Sequence, residues 1–572
     1  MLTADERRRE RRASSERRKS GPKVVDIEWT RQDGKAGRRR QSDQHRRASK
    51  SNKAAALRHE RGQLRPPLAG HSGRASLRGS CLPPATTTTA SATEAAAATA
   101  AAAATSKEES RGIVTMEVAK QEEEEGKEEE GRKKGDGSSE AEWTPDMVAE
   151  AAQAVLGDDR QLQIRHLRWL RKVLSLSEAP PAEQVVRAGL LPRLVGFIRQ
   201  TDCAELRPEA LCALANIACT EYTKEVAMEP GILPVLVSVL GGPDMFLREQ
   251  SAWCFGNIAA AGVEMRDLVL GAGVLEPLLL GLSQSQDDHD GSISFMRTGA
   301  WALNNLCRGL PPPPLSAAVL IIKALRPLIE SANTADGETL VDAGWAIYNI
   351  TRGGSDRIDA VRSAGLLSTM PDMLLHDDVE VVRPVLRAME NLACSSAAHR
   401  GALVGAGALE PLVEVLGNDN SKVRADALRL LSCIAAGSPD LVDAVASTAD
   451  VVRSVVTELE EGNASCRREA AWVFLNMCEC GYKSQESIIP DIVRNGGISA
   501  VCQNLYKDND AESLLVALSL LFTILDRASS STLPEYVTLV QEADGFAKTL
   551  CLADEHDDME IYDKMVPQRY PT

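Results

Sequence analysis

Four Trp residues are each followed four positions later by Asn: Trp253/Asn257, Trp301/Asn305, Trp345/Asn349 and Trp472/Asn476. The same two columns continue as Cys212/Asn216, Arg387/Asn391 and Arg429/Cys433. Along the chain the first column is spaced by 41, 48, 44, 42, 42 and 43 residues. Positions i and i+4 share one helix face, so each unit sets an indole beside a carboxamide. A carboxamide carries both donor and acceptor and can grip the N–H and C=O of an extended peptide as a neighbouring strand would. An indole face attracts the ammonium of Lys or the guanidinium of Arg, at ~0.5–2 kcal/mol per contact. Two Trp in neighbouring units make a slot for a long basic side chain, and the ligand this implies is an extended Lys/Arg-rich peptide. One such pair would mean little, because a Trp often packs a core and an Asn often braces a turn. Four in register, each with Asn inside a helix where propensity disfavours it, favour the peptide reading.

The elements that must position these pairs are legible in a second phrase. Gly189-Leu-Leu-Pro, Gly231-Ile-Leu-Pro, Gly273-Val-Leu-Glu-Pro, Gly365-Leu-Leu and Gly407-Ala-Leu-Glu-Pro recur at intervals of 42, 42, 92 (two units) and 42 residues. A Gly ahead of a helix turns the chain where other residues would be strained, and Pro in a first helical turn loses no hydrogen bond. Each unit of about 42 residues therefore reads as short helices joined by tight turns, the period of armadillo and HEAT solenoids. The stretch Gln284–Gly291 lengthens one loop and accounts for the 48-residue interval.

Charge divides the chain. The 572 residues carry a formal net charge of −16, yet residues 1–80 hold 23 Lys and Arg against 9 Asp and Glu, leaving the remainder at −30. A basic head on an acidic body argues against a uniform nucleic-acid binder and gives the body a field that attracts cations. Residues 1–80 are Arg-rich. Residues 81–140 are a low-complexity linker of Thr/Ala and Glu/Lys/Gly tracts that cannot bury a core. Helical periodicity begins at Trp143, so the repeat domain is expected over 141–572. With 4% aromatic residues and abundant Ala, Leu and Val, the composition suits helix-on-helix packing. The first 20 residues do not read as a signal peptide, and no apolar run reaches the ~18 residues of a bilayer span. The 13 Cys show no zinc spacing and read as buried, reduced thiols of an intracellular protein. No Gly-rich phosphate loop, Gly-x-Ser-x-Gly or metal-spaced His cluster is present, so no catalytic role and no cofactor are expected.

Specific phrases resemble the importin-alpha (karyopherin-alpha) family of nuclear import adaptors. They include Asp146-Met-Val, Arg171-Lys-Val-Leu-Ser, Arg248-Glu-Gln-Ser-Ala-Trp253, Arg266-Asp-Leu-Val-Leu, Trp301 through Arg308-Gly309 with Pro311-Pro-Pro, Arg387-Ala-Met-Glu-Asn391 and Glu469-Ala-Ala-Trp472. The resemblance covers roughly residues 143–566. It implies an all-α fold of about ten armadillo repeats in a right-handed superhelical solenoid, behind a disordered basic amino-terminal region. It implies that nuclear localisation signals bind a concave groove in two places. Carried over, the larger site is Asn216, Thr223, Trp253, Asn257, Trp301, Asn305 and Trp345. The smaller is Asn349, Arg387, Asn391, Glu469, Trp472 and Asn476. Partners implied are signal-bearing cargo, importin-beta on the basic head and a nuclear export receptor for recycling, with shuttling between cytoplasm and nucleus. No membrane or direct nucleic-acid partner is expected. The clusters Arg38, Arg39, Arg40 and Arg132, Lys133, Lys134 are candidates for importin-beta binding and for folding back into the groove.

The sequence also departs from the family. Cys212 stands at the first ladder Trp, Ala261 where the family has an Asp, and Arg429 with Cys433 in place of a Trp/Asn pair. Gly21, Pro22, Gly34 and Gly37 interrupt the helix expected in the head. Two other readings stay open: an armadillo interaction scaffold without import activity, and a nucleic-acid binder acting through the basic head.

Overall fold

The computed structural model describes residues 143–555, apart from the short stretches 177–178, 202, 285–291, 331–335, 480–481 and 507–508. All lie in one unit, Leu82–Thr572. The basic head, the linker, both Lys/Arg clusters and most of the lengthened loop fall outside the described residues. Within them the chain forms 27 α-helices and no strand.

Nine of these helices carry or continue the ladder columns and stack in chain order. We number them α1 (Arg160–Leu176), α2 (Leu206–Ile217), α3 (Met245–Ala260), α4 (Ser292–Cys307), α5 (Gly337–Thr351), α6 (Val379–Ser395), α7 (Ser421–Ala435), α8 (Ala464–Glu479) and α9 (Ala511–Asp526). Each packs on the next, and shorter helices, such as Thr223–Met228 and Ile232–Leu240 between α2 and α3, back them on the other side. One core runs unbroken from Val148 to Leu552. This is the expected solenoid: no unit covers its own apolar face, so each needs its neighbour.

Local sequence sets where the ladder helices begin. An Asp or Asn stands immediately before seven of the nine. Asp244, Asp336, Asn420 and Asp510 accept hydrogen bonds from backbone N–H groups of the first turn, as Asp159 and Asn463 also do. Such caps satisfy donors that the helix itself cannot. The repeated glycines turn the chain as their spacing predicts: Gly231 has φ 83° and Gly407 φ 84°, the left-handed region open to Gly at no steric cost.

In α3 the run from Ser251 to Ala259 is buried on every side, because α2, α4 and the backing helices enclose it. Contact with α4 depends on Gly256. A Cβ there would lie 2.0 Å from Cζ3 of Trp301. Gly256→Ala is therefore expected to destabilise the fold by about 1–3 kcal/mol through overpacking, measured by urea denaturation. An unchanged midpoint would show that Trp301 moves aside at no cost.

Candidate peptide-binding ladder

Four of the second-column carboxamides share one job. Asn257 donates through Nδ2 to the Ala215 carbonyl of α2 at 3.3 Å. Asn391 donates to the Tyr348 carbonyl at 3.5 Å and to Thr351 Oγ1 at 3.0 Å. Asn476 donates to the Ser432 carbonyl at 3.1 Å and to Ser432 Oγ at 2.9 Å. Ala215, Tyr348 and Ser432 each sit one residue before the column position of the preceding unit. Asn349 reaches the same register at a side chain, Asn304 Oδ1, at 3.0 Å. Each of these Asn side chains thus brackets its helix to the one before. The bracket spends the amide N–H and leaves the amide oxygen.

Two carboxamides keep an unused, buried polar atom. Asn257 is fully buried and its Oδ1 has no hydrogen-bond partner. Asn305 is 1% exposed; its Oδ1 accepts from Arg308 Nη1 at 3.1 Å, and its Nδ2 has no partner. Because the first atom of each amide is committed, the identity of the free one is fixed: an acceptor on α3 and a donor on α4. A buried polar atom without a partner costs about 1–3 kcal/mol, a cost that a bound peptide N–H and C=O would remove.

The indoles are arranged differently from the sequence expectation. Trp253 and Trp301 stack directly, with centroids 4.9 Å apart and planes at 23°. They are 6% and 5% exposed. An alkyl chain between two rings needs them about 7 Å apart at van der Waals distance, so the expected slot is closed in this structure. Gly256 permits the closure, since it leaves room for the Trp301 ring. Trp345 is half-buried and makes an edge contact with Tyr348 at 5.4 Å. Trp472 is half-buried as well.

At the start of the ladder, Cys212 is buried and its thiol donates to Gln250 Oε1 at 3.5 Å; burial pushes the thiol up to about 12. Asn216 is half-buried. Thr223 is buried, with Oγ1 donating to the Ala218 carbonyl at 2.8 Å and to that of Thr220 at 2.6 Å, so it braces the turn after α2. Ala261 caps the end of α3.

The second half of the ladder is ionic. Arg387 Nη2 lies 3.1 Å from Asp426 Oδ1, and its Nη1 lies 3.5 Å from Glu390 Oε2. Arg429 donates from Nε and Nη2 to Glu469 Oε1 at 3.2 and 3.0 Å, and its Nη1 lies 3.7 Å from Asp426. Burial alone would lower the Arg429 guanidinium, but Glu469, Glu390 and Asp426 outweigh it and hold it above its ordinary value. Burial pushes the Glu390 carboxyl up, against the pull of Arg429 and Arg387. Glu469, which the sequence places in the smaller site, is thus already engaged by a guanidinium of its own chain. Sequence reasoning missed Asn304, Arg308, Asp426 and Glu390; the one available signal was that they neighbour column residues.

Ser396, His399 and Asp359 form a chain of contacts, with Ser396 Oγ 2.7 Å from His399 Nδ1 and His399 Nε2 3.1 Å from Asp359 Oδ1. Ser396 Oγ also accepts from the His399 N–H as the cap of the helix Ala397–Gly405, which gives the trio a structural role. Among the described residues no group of His, Cys, Asp and Glu is placed to hold a metal ion, and no helix is long and apolar enough to cross a membrane.

Stacked helical units with a Trp/Asn ladder along one helix of each define an armadillo-type solenoid. An engineered protein of known structure superposes with a TM-score of 0.62 at 26% identity, covering 73% of this chain and 97% of that one. No family model matches the sequence. Importin subunit alpha-1b of Oryza sativa subsp. japonica is 30% identical over 432 residues, 74% of this chain and 78% of that protein. Importin subunit alpha-4 of Arabidopsis thaliana is 32% identical over 424 residues, 72% of this chain and 76% of that protein. The chain belongs to the importin alpha family.

The ionic half generates a stability test. Arg429→Met leaves Glu469, nine-tenths buried, without the guanidinium that donates twice to its Oε1. A loss of about 1–3 kcal/mol is expected, most of it recovered in Arg429→Met combined with Glu469→Leu, as read by urea denaturation. Equal losses in the single and double variants would mean that the pair does not hold α7 to α8.

Proposed function

We propose that this chain is a nuclear import adaptor. It binds Lys/Arg-rich nuclear localisation signals along the ladder face and links that cargo to importin-beta. The observation that carries the reading is the pair of unpartnered amide atoms on adjacent helices, Asn257 Oδ1 and Asn305 Nδ2. An extended peptide supplies the missing N–H and C=O. The larger site then comprises Asn216, Trp253, Asn257, Trp301, Asn305 and Trp345, with Thr223 shaping its edge. A basic side chain enters between Trp253 and Trp301 only as the rings part. Parting them costs about 0.5–1.5 kcal/mol of aromatic contact, offset by cation–π attraction of ~0.5–2 kcal/mol. Asn349, Arg387, Asn391, Glu469, Trp472 and Asn476 form the weaker site, because Arg429 and Arg387 compete with a ligand's cations for Glu469 and Asp426.

The rest of the reading concerns the amino-terminal segment. Residues 1–80 bind importin-beta, and residues 81–140 act as the tether. In the free protein Arg38–Arg39–Arg40 or Arg132–Lys133–Lys134 occupies the ladder face. A tether of this kind holds the head at an effective concentration on the order of millimolar. A nuclear export receptor returns the chain, which therefore shuttles between cytoplasm and nucleus. A second reading, an interaction scaffold without import activity, draws on one observation: Arg387 and Arg429 stand in the ladder column, where a ligand-binding surface for acidic partners would have them.

Fluorescence anisotropy with one labelled basic signal peptide tests the first reading. Asn257→Ala and Asn305→Ala are each expected to weaken binding by about 1–3 kcal/mol, and Trp301→Ala by at least as much. The peptide should also perturb the Trp fluorescence as the stacked pair opens. Unchanged affinity in all three folded variants, or tighter binding of an acidic peptide than a basic one, would favour the scaffold.

Deleting residues 1–140 should raise affinity for the same peptide, as should adding importin-beta to the full chain. Both effects should shrink with salt, because screening at ~8–10 Å weakens exposed charge pairs in physiological buffer. Equal dissociation constants with and without the head at low salt would remove autoinhibition from the scheme.

A further inference from the structure

Eight of the eleven described cysteines are buried free thiols, as the sequence suggests. Burial raises several of them, Cys254 and Cys478 among them, to about 12, which leaves them without thiolate character. Three depart from that pattern: Cys551 is exposed, and the other two meet. Cys394 on α6 is exposed, Cys433 on α7 is half-buried, and their Sγ atoms lie 2.8 Å apart. Cys433 occupies the column that elsewhere holds the bracketing Asn. At Asn257, Asn391 and Asn476 that side chain ties its helix to the one before. At Cys433 no amide is available, and the contact across the α6–α7 interface is made by sulfur instead.

We propose that Cys394 and Cys433 are a reversible redox modification site, converted by peroxide into a disulfide that fastens α6 to α7. A disulfide bond is about 2.05 Å long, so the sulfurs, 2.8 Å apart, need to approach by less than 1 Å. The pair also divides the labour of the reaction. The sulfur–sulfur contact with Cys433, with help from Arg400 and Arg429, holds Cys394 below the ordinary thiol range despite burial and Glu390. The same contact and burial raise Cys433. Cys394 is therefore the attacking thiolate and Cys433 the resolving thiol. In the first step the Cys394 sulfur attacks one oxygen of hydrogen peroxide. An S–O bond forms, the O–O bond breaks, the sulfur loses two electrons, and hydroxide leaves to be protonated to water. In the second step the Cys433 sulfur attacks the Cys394 sulfenic acid. The S–S bond forms, the S–O bond breaks, and hydroxide departs with the Cys433 proton as water. A dithiol reductant reverses the change by exchange.

The pair lies within the ladder column, but the proposal does not depend on peptide binding, and its test needs no ligand. The full chain is treated with one equivalent of hydrogen peroxide, alkylated and digested without reduction, then read by mass spectrometry. The expected product is a cross-linked peptide pair joining Cys394 to Cys433, two hydrogens lighter than its parts. It should form before the buried cysteines react and vanish with dithiothreitol. Cys433→Ser should stop at a Cys394 sulfenic acid that dimedone traps, and Cys394→Ser should abolish both products. Thermal unfolding of the untreated variants confirms that each is folded, and Cys394 is exposed enough to substitute without touching the core. Oxidation of the wild-type chain to a dimedone adduct at Cys394 with no cross-link would overturn the proposal. So would oxidation of other cysteines ahead of this pair.

Discussion

Everything in the described fold rests on the interface between one ladder helix and the next. A single unit of two or three short helices exposes an apolar face it cannot cover, so stability is shared between neighbours. The apolar part of that interface is generic, made of Ala, Leu, Val and Ile. Its register is not. Register is set by a carboxamide that reaches from one ladder helix to the carbonyl just before the equivalent position of the preceding one, as Asn257, Asn391 and Asn476 do. Those carbonyls lie near helix ends, and those of Tyr348 and Ser432 also accept from the backbone N–H of Arg352 and Ala436, so the carboxamide adds a second donor there. The bracket ties each helix to the one before at a fixed register position.

The same contact shapes the surface on which a ligand would lie. A bracketing Asn has used its donor and presents its acceptor. Asn305 breaks the rule, because Arg308 takes its oxygen and frees its donor. Adjacent rungs therefore hold buried free atoms of opposite polarity, an acceptor on α3 and a donor on α4. Farther along, charge takes over. Arg387 and Arg429 neutralise Asp426 and Glu469 from within the chain, so the two halves of the ladder differ in what they leave available. The belonging of this chain to the importin alpha family and the substitutions at Cys212, Arg429 and Cys433 fit together in that asymmetry.

Trp253 and Trp301 illustrate how close packing governs the rest. Two indoles separated by solvent would expose large apolar faces, and stacking removes that area from water. Gly256 supplies the space. Cys394 and Cys433 show the complementary case: where the bracket lacks an amide, the interface brings two sulfurs into contact.

The sequence by itself determined the solenoid, the unit length, the turning glycines and the two columns, because all of these follow from local periodicity and backbone conformation. Gly231 and Gly407 adopt the left-handed turn that their recurrence ahead of helices required. Resemblance at the level of whole phrases identified the family. Tertiary structure alone decided which atoms of the column residues are spent. Spacing places Asn257 and Asn305 on one face, but not that one keeps a buried oxygen unpartnered and the other a buried amide nitrogen. Nor could it show that the expected Trp slot closes on itself, that Glu469 is held by Arg429, or that Cys394 meets Cys433. Each of these contacts joins residues about 40 or more positions apart on different helices, and the distance between such atoms is set by how the units pack, which no local pattern encodes.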